Sequence, residues 1–287
     1  MRPSLPLVAL VAVVSACSAP PPPQETLPEG GALIAQFGEA RALATDGVGR
    51  LYVVDAAASE VVVLDTTGAV LDRLGGTEDQ AFLDVTDVDP TNGQAVFVAD
   101  AGMGRIVRFT AEGRPAEEIP VPRVLDVESR AGDEPGRPVA VAAGPGEVLY
   151  AIEAERGVVL RWDADRQLGR VIGGLASPAP LREPSALAVE DDGTLLVADG
   201  DRVVAFDTFG AVERDIPEGA LGRVVNLTVA DGVALAIGPT AVRRLDGQGG
   251  VPVELGNGLV DVAVTRTDIY LLTQTRLMRV SLHREAW

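Results

Sequence analysis

A short phrase recurs along this chain of 287 residues. Leu51-Tyr52-Val53-Val54-Asp55 returns as Val96-Phe97-Val98-Ala99-Asp100, as Leu149-Tyr150-Ala151-Ile152-Glu153 and as Leu195-Leu196-Val197-Ala198-Asp199. The closing acid falls at 55, 100, 153 and 199, so the spacings are 45, 53 and 46 residues. A period of this size marks a stacked or radial repeat, and the architecture follows from the unit.

Each unit holds four short apolar stretches separated by turn chemistry. In the first, Ala42 to Thr45 is followed by Asp46-Gly47-Val48-Gly49, then Leu51 to Val54, Glu60 to Leu64, Asp65-Thr66-Thr67-Gly68 and Val70 to Leu74. Short β-branched runs bounded by such turns read as antiparallel hairpins, and Gly68 offers the positive φ that the turn needs. Asp207-Thr208-Phe209-Gly210 and Asp246-Gly247-Gln248-Gly249 repeat that turn, and Thr110-Ala111-Glu112-Gly113 varies it. Further units run from Phe82 to Val121, Arg137 to Gly173, Pro184 to Ile216 and Arg223 to Leu255. The last, Leu259 to Leu282, has room for three strands only. A surplus strand, Ala32 to Phe37, stands at the N-terminal end, and pairing it with the short unit closes a ring without exposed edges. The expectation is an all-β, six-bladed propeller of four-stranded antiparallel blades spanning 32–287.

The blades resemble those of the NHL-repeat family of six-bladed β-propellers. Val88-Asp89-Pro90 through Val98-Ala99-Asp100, then Gly104-Arg105-Ile106-Val107-Arg108-Phe109 and Gly113, follow that family's blade closely. Leu187-Ala188-Val189 through Asp199 and Arg202-Val203-Val204-Ala205-Phe206 follow it too. The fifth and sixth blades depart from it, with Gly238 and Thr273 at the position of the repeated acid. Asp55, Asp100 and Asp199 are assigned to structure: a carboxylate ending the second strand can accept N–H groups of the following turn.

Before the ring lies a different kind of sequence. Arg2 precedes an apolar run, Leu5 to Val14, too short to span a bilayer. The run ends Val14-Ser15-Ala16-Cys17, which resembles the bacterial lipobox. Residues 1–16 are then a signal peptide, and Cys17, the only cysteine, carries lipid as the mature N-terminus. No thiol remains for a disulfide, a metal or catalysis. Ser18, by the same resemblance, favours transfer to the outer membrane, so the expected address is its periplasmic face. Residues 17–31 include four consecutive prolines. At ~3.1 Å per residue they give a semi-rigid tether of roughly 40 Å at most.

The formal charge is −18, and all 24 basic residues are arginine. Removal of residues 1–16 takes away Arg2 alone and brings the charge to −19. Such a surface repels nucleic acid and anionic head groups, so no nucleic-acid partner is expected. Contact with the membrane is expected through the N-terminal lipid only, and the domain is expected to be monomeric.

The chemistry on offer is narrow. The single histidine, His283, and the absence of lysine exclude multi-histidine metal sites and lysine Schiff bases. Oxygen chemistry remains. The innermost strands carry small residues at alternate positions, as at Ala42 and Ala44, Ala140 and Ala142, and Ala186 and Ala188, and three positions break that rule: Asp87, Asn226 and Asp261. Buried carboxylates are costly unless paired or bound to a cation, and these oxygens suit calcium. Lactonase-like six-bladed propellers, by resemblance, hold a divalent ion in this way. Hydrated polar residues lining the channel are the alternative. Arginines also stand near the starts of innermost strands: Arg41, Arg137, Arg182 and Arg223. They form either an anion-attracting collar at one mouth or salt bridges with Glu39, Glu134 and Glu183. Two functions follow from these readings. One is a lipid-anchored module that binds a protein, peptide or glycan at the channel mouth, without a catalytic set. The other is a divalent-metal-dependent hydrolase of the lactonase type.

Overall fold

The computed structural model describes residues 31–76, 81–125, 131–217, 219, 221–230, 232–245 and 253–281. The signal peptide, Cys17, nearly all of the tether and His283 lie outside them. The described residues contain six four-stranded antiparallel sheets, one separate hairpin and two single 3₁₀ turns.

Strand β1 (Ala32–Gln36) comes first and is used last. Blade one is β2 (Ala40–Thr45), β3 (Arg50–Asp55), β4 (Glu60–Asp65) and β5 (Val70–Gly75). Blade two is β6 (Val85–Asp89), β7 (Ala95–Asp100), β8 (Arg105–Thr110) and β9 (Pro115–Pro120). A hairpin, β10 (Pro122–Val124) and β11 (Ala131–Pro135), follows. Blade three is β12 (Pro138–Ala143), β13 (Leu149–Glu153), β14 (Val158–Trp162) and β15 (Leu168–Ile172). Blade four is β16 (Pro184–Val189), β17 (Leu195–Asp199), β18 (Arg202–Phe206) and β19 (Val212–Pro217). Blade five is β20 (Asn226–Ala230), β21 (Val233–Ile237), β22 (Ala241–Arg244) and β23 (Val253–Glu254). Blade six is β24 (Leu259–Val264), β25 (Asp268–Thr273) and β26 (Arg276–Ser281), completed by β1 in the order β1-β26-β25-β24. Ring closure by the N-terminal strand is therefore as the sequence leads one to expect.

The core has no single centre. It is divided into six apolar clusters, one at each junction between blades. Period-two alternation explains why. On β3, Tyr52 and Val54 pack against blade two, while Leu51 and Val53 pack against blade six. A second strand is thus covered on both faces, which is why the repeated phrase is almost continuously apolar rather than alternating.

The acid ending that phrase works over a longer range than the following turn. Asp55 accepts the N–H groups of Gly38 and Glu39, Asp100 those of Leu83 and Asp84, and Asp199 those of Arg182 and Glu183. Each acid therefore fastens the segment that leads into its own blade's innermost strand. Bonds to the following turn are also present, from Met103 to Asp100 and from Glu155 and Arg156 to Glu153. Gly238 and Thr273 lack the carboxylate, and Thr273 Oγ1 accepts only its own turn's Arg276 N–H.

One turn departs from its siblings. Gly68, Gly113 and Gly210 take positive φ at the turn between the third and fourth strands, and in blade three Arg166 occupies that position at φ 61°. A non-glycine residue there costs about 1–2 kcal/mol. The side chain offsets that cost across the junction with blade two. Its Nε lies 3.3 Å from Glu117, its Nη1 donates to the Glu147 carbonyl at 2.8 Å, and its guanidinium sits 5.5 Å from the Phe97 ring centre.

Candidate functional site

The innermost strands are the inner edges of their sheets, so half of their backbone groups have no neighbouring strand to pair with. Register aligns the blades at this level. Ala42 pairs with Val54, Asp87 with Ala99, Ala140 with Ile152, Ala186 with Ala198, Asn226 with Ile237 and Asp261 with Leu272. Asp87, Asn226 and Asp261 are therefore equivalent positions of one ring, set among three alanines. In five blades a bulge immediately before this residue turns the strand into the channel.

The three polar side chains spend their oxygens on backbone. Asp261 accepts the Val262 N–H on its own strand and the Leu43 N–H of blade one, both at 2.7 Å. Asp87 accepts Val88 of its own strand at 2.9 Å and Val141 of blade three at 2.8 Å. Each carboxylate therefore bridges the edge amide of its own blade to that of the next. Asn226 Oδ1 accepts the Leu227 N–H at 2.7 Å, and the nearby Asn226 side chain slightly offsets the rise of the Asp261 carboxyl. Two residues further along, Asp89 repeats the bridge to Ala143 at 2.8 Å, a residue that sequence reasoning did not single out. At the junction from blade three to blade four the flanking residues, Ala140 and Ala186, offer no acceptor to Leu187.

Burial dominates the electrostatics. Asp87 keeps some exposure to the channel, yet it lies deep in the ring. Burial pushes its carboxyl up to about 7, against the two amide bonds and with the help of Asp89's charge. Asp261 is 2% exposed, and burial raises its carboxyl well above the usual range, opposed by the Leu43 and Val262 amides. The charge of Asp87 adds to that rise. Each oxygen of the two carboxylates already accepts a backbone N–H. Among the described residues no three His, Cys, Asp or Glu side chains gather in metal-binding range.

The four arginines share one mouth but not one position. Arg41 stands in the bulge of β2 and reaches the Val85 carbonyl of the next blade at 3.3 Å. Thr86 and Ser185 occupy the same bulge position and reach Pro138 and Val224 carbonyls in the same sense. Arg41 is thus an inter-blade tie. It also pairs with Glu39 at 3.0 Å and with Asp84 at 2.6 Å, and Asp84 lies 3.5 Å from Arg137. Arg223 pairs with Glu183 at 3.3 Å. Glu134 pairs with Arg123 rather than with Arg137. Arg182 is exposed, and its backbone N–H is held by Asp199. These exposed pairs are individually worth little, and at the mouth arginine and carboxylate alternate rather than forming a bare cationic collar.

The extra hairpin rises beside this mouth. Arg156 donates to the carbonyls of Val124 and Leu125, and Arg123 bridges Glu134 and Glu155. Between the hairpin and blades two and three lies a cleft of about 690 Å³, lined by Met103, Arg105, Pro122, Pro135, Trp162 and Leu168 among others. Leu83, Met103, Leu125 and Leu175, all more than half or about half exposed, stand on the loops of the same mouth.

Ring, register and mouth define the class: an all-β, six-bladed propeller of four-stranded antiparallel blades. No protein-family model matches the chain, and no curated protein is similar to it in sequence. Solved structures share the fold. A gluconolactonase from Xanthomonas campestris aligns with TM-score 0.65 at 14% identity, over 88% of this chain and 89% of that one. A streptogramin B lyase aligns with TM-score 0.61 at 14% identity, over 90% and 98%. A catalytically inactive histidine-to-alanine variant of virginiamycin B lyase from Staphylococcus aureus, solved with quinupristin, aligns with TM-score 0.57 at 12% identity, over 90% and 98%.

Proposed function

We propose that this chain is a lipid-anchored, extracytoplasmic binding propeller of NHL type, held at the periplasmic face of the outer membrane through Cys17. Its mouth, at the starts of the innermost strands, docks a protein, peptide or glycan. The observation that carries this reading is the contrast between channel and mouth. In the channel the oxygens of Asp87, Asp261 and Asn226 are engaged by backbone amides. At the mouth Leu83, Met103, Leu125 and Leu175 are offered to solvent among Arg41, Arg137, Arg182 and Arg223. Apolar anchors rimmed by charge suit a recognition surface. The test is capture from envelope extract and from peptidoglycan by the parent and by a Leu83→Asp/Leu175→Asp double variant. A ligand held by the parent and lost by a variant of equal Tm supports the mouth. Equal retention overturns it.

A second reading is a divalent-metal-dependent hydrolase, and the gluconolactonase fold together with three oxygen side chains on one ring level supports it. If those residues hold calcium in the folded state only, a hundredfold excess over Kd raises stability by about 2.7 kcal/mol. Melting curves with calcium and with chelator, beside a lactone and ester screen, decide it. Identical curves and no turnover remove the calcium-dependent enzyme.

A further inference from the structure

Strand direction separates the two ends of the ring. The innermost strands start at the mouth, and successive strands are antiparallel, so the turns after first and third strands lie at the opposite end, the foot. By the same rule β1, the outermost strand of blade six, starts at the foot and ends at the mouth. The N-terminal tether therefore joins the ring at the foot, at Ala32.

The foot carries a patch beside that point. Nine large apolar side chains are exposed among the described residues, and four of them stand at the foot of blades six and one: Leu33 at 51%, Val48 at 76%, Val70 at 51% and Leu71 at 55%. Packing brings the segments that carry these residues together at the foot. Gly49, next to Val48, lies against Thr66, with a Cβ at Gly49 falling 3.7 Å from its methyl group. Thr66 O accepts Arg279 of blade six, and Gly68, two residues before Val70, lies so close to Ile34 that a Cβ there would fall 2.8 Å from the Ile34 carbonyl carbon. Phe209 is also exposed at the foot, in blade four. The other four are those of the mouth.

We infer that the foot of blades six and one rests on the lipid surface that holds the tether, through Leu33, Val48, Val70 and Leu71, and that the mouth faces away from that membrane. The inference rests on the lipid anchor proposed above. A tether of roughly 40 Å would by itself permit any orientation. Apolar side chains next to its root favour one, because each leaves water on contact with the interfacial region. The foot carries both signs, Asp65 and Asp72 beside Arg50 and Arg279, so the contact requires no anionic head group and is proposed with zwitterionic ones. A partner at the mouth must then come from the periplasmic space or from the cell wall, not from within the same leaflet.

Cys17 is the only cysteine, so once it is acylated an introduced thiol is unique and can carry a single fluorophore. The full chain is reconstituted in phosphatidylcholine vesicles containing a head-group nitroxide lipid, with the label at Val48→Cys, Leu71→Cys or Leu175→Cys. Quenching several-fold greater at the first two than at the third is expected, and Leu33→Asp/Val70→Asp should reduce it. Equal quenching at all three, or more at Leu175→Cys, overturns the orientation. The mass of the N-terminal peptide from the same samples separates the two failures. An acylated chain without quenching at the foot removes this inference alone, whereas an unacylated chain removes the anchor and the orientation together.

Discussion

The junctions from blade six to blade one and from blade three to blade four solve the same problem differently. Both bring the free edge of an innermost strand beside its neighbour's. At the first, Asp261 links the Val262 and Leu43 amides. At the second, Ala140 stands in the equivalent place and packs in an apolar cluster with Ala179, Leu181 and Leu187. The carboxylate junctions are also the unusual ones. Six-to-one is where the ring closes, and two-to-three, bridged by Asp87 and Asp89, is where the extra hairpin enters. A polar residue at a position that is small elsewhere therefore reads first as a clamp between blades. Its oxygen count alone does not make it a ligand.

The sharpest way to break that comparison is Asp261→Ala. It strips the acceptor from two edge amides, Leu43 and Val262. Each buried donor left without a partner costs about 1–3 kcal/mol, so a loss of about 2–6 kcal/mol is expected. Asp87→Ala should cost less, because Asp87 keeps some exposure and water from the channel can replace it. Urea denaturation of both variants checks this. Equal and small losses would return these residues to passive lining.

Much of this ring was legible beforehand, and the reasons are physical. Strand order, ring closure and the matching positions of Asn226 and Asp261 follow from period-two patterning and from turn residues, both of which are local. The partners were not legible, because the bonds from Asp55, Asp100 and Asp199 to their blades' leading segments cross 16 or 17 residues. Those from Asp87 and Asp261 cross between blades. The hairpin at 122–135 was missed for a related reason. Pro122, Gly132 and Pro135 show no alternation, and Arg156, whose side chain donates to the Val124 and Leu125 carbonyls, stands 32 and 31 residues away.

The clamps also give stability a pH dependence. A carboxyl whose folded value is raised binds its proton more tightly in the folded state. Its contribution is complete below the unfolded value near 3.8 and is lost as pH rises through the folded value, about 7 for Asp87. A rise of about three units corresponds to a stability change on the order of 4 kcal/mol at most. Asp261 acts in the same direction over a range that extends upward from the same starting point. The protein should therefore resist urea better at pH 5 than at pH 8 as far as these groups are concerned. Asp87→Asn should flatten the profile between those values. A parent profile that rises from pH 5 to pH 8 and keeps its slope in Asp87→Asn would separate the clamps from the titration.

The smallest expected effect tests the junction between blades two and three from the outside. Arg166 holds a backbone conformation that three sibling turns give to glycine. Arg166→Gly relieves about 1–2 kcal/mol of left-handed strain. It also removes the contacts with Glu117, the Glu147 carbonyl and Phe97. A guanidinium over a ring is worth about 0.5–1 kcal/mol, and a partly exposed ion pair a similar amount. The two sides nearly cancel, so a Tm within a few degrees of the parent is expected. Arg166→Ala keeps the strain and loses the contacts, and it should be the less stable of the two by about 1 kcal/mol or more. If Arg166→Ala matched or exceeded Arg166→Gly, the left-handed turn would carry no cost here. The arginine would then be an ordinary surface residue rather than a clamp whose contacts offset a strained backbone.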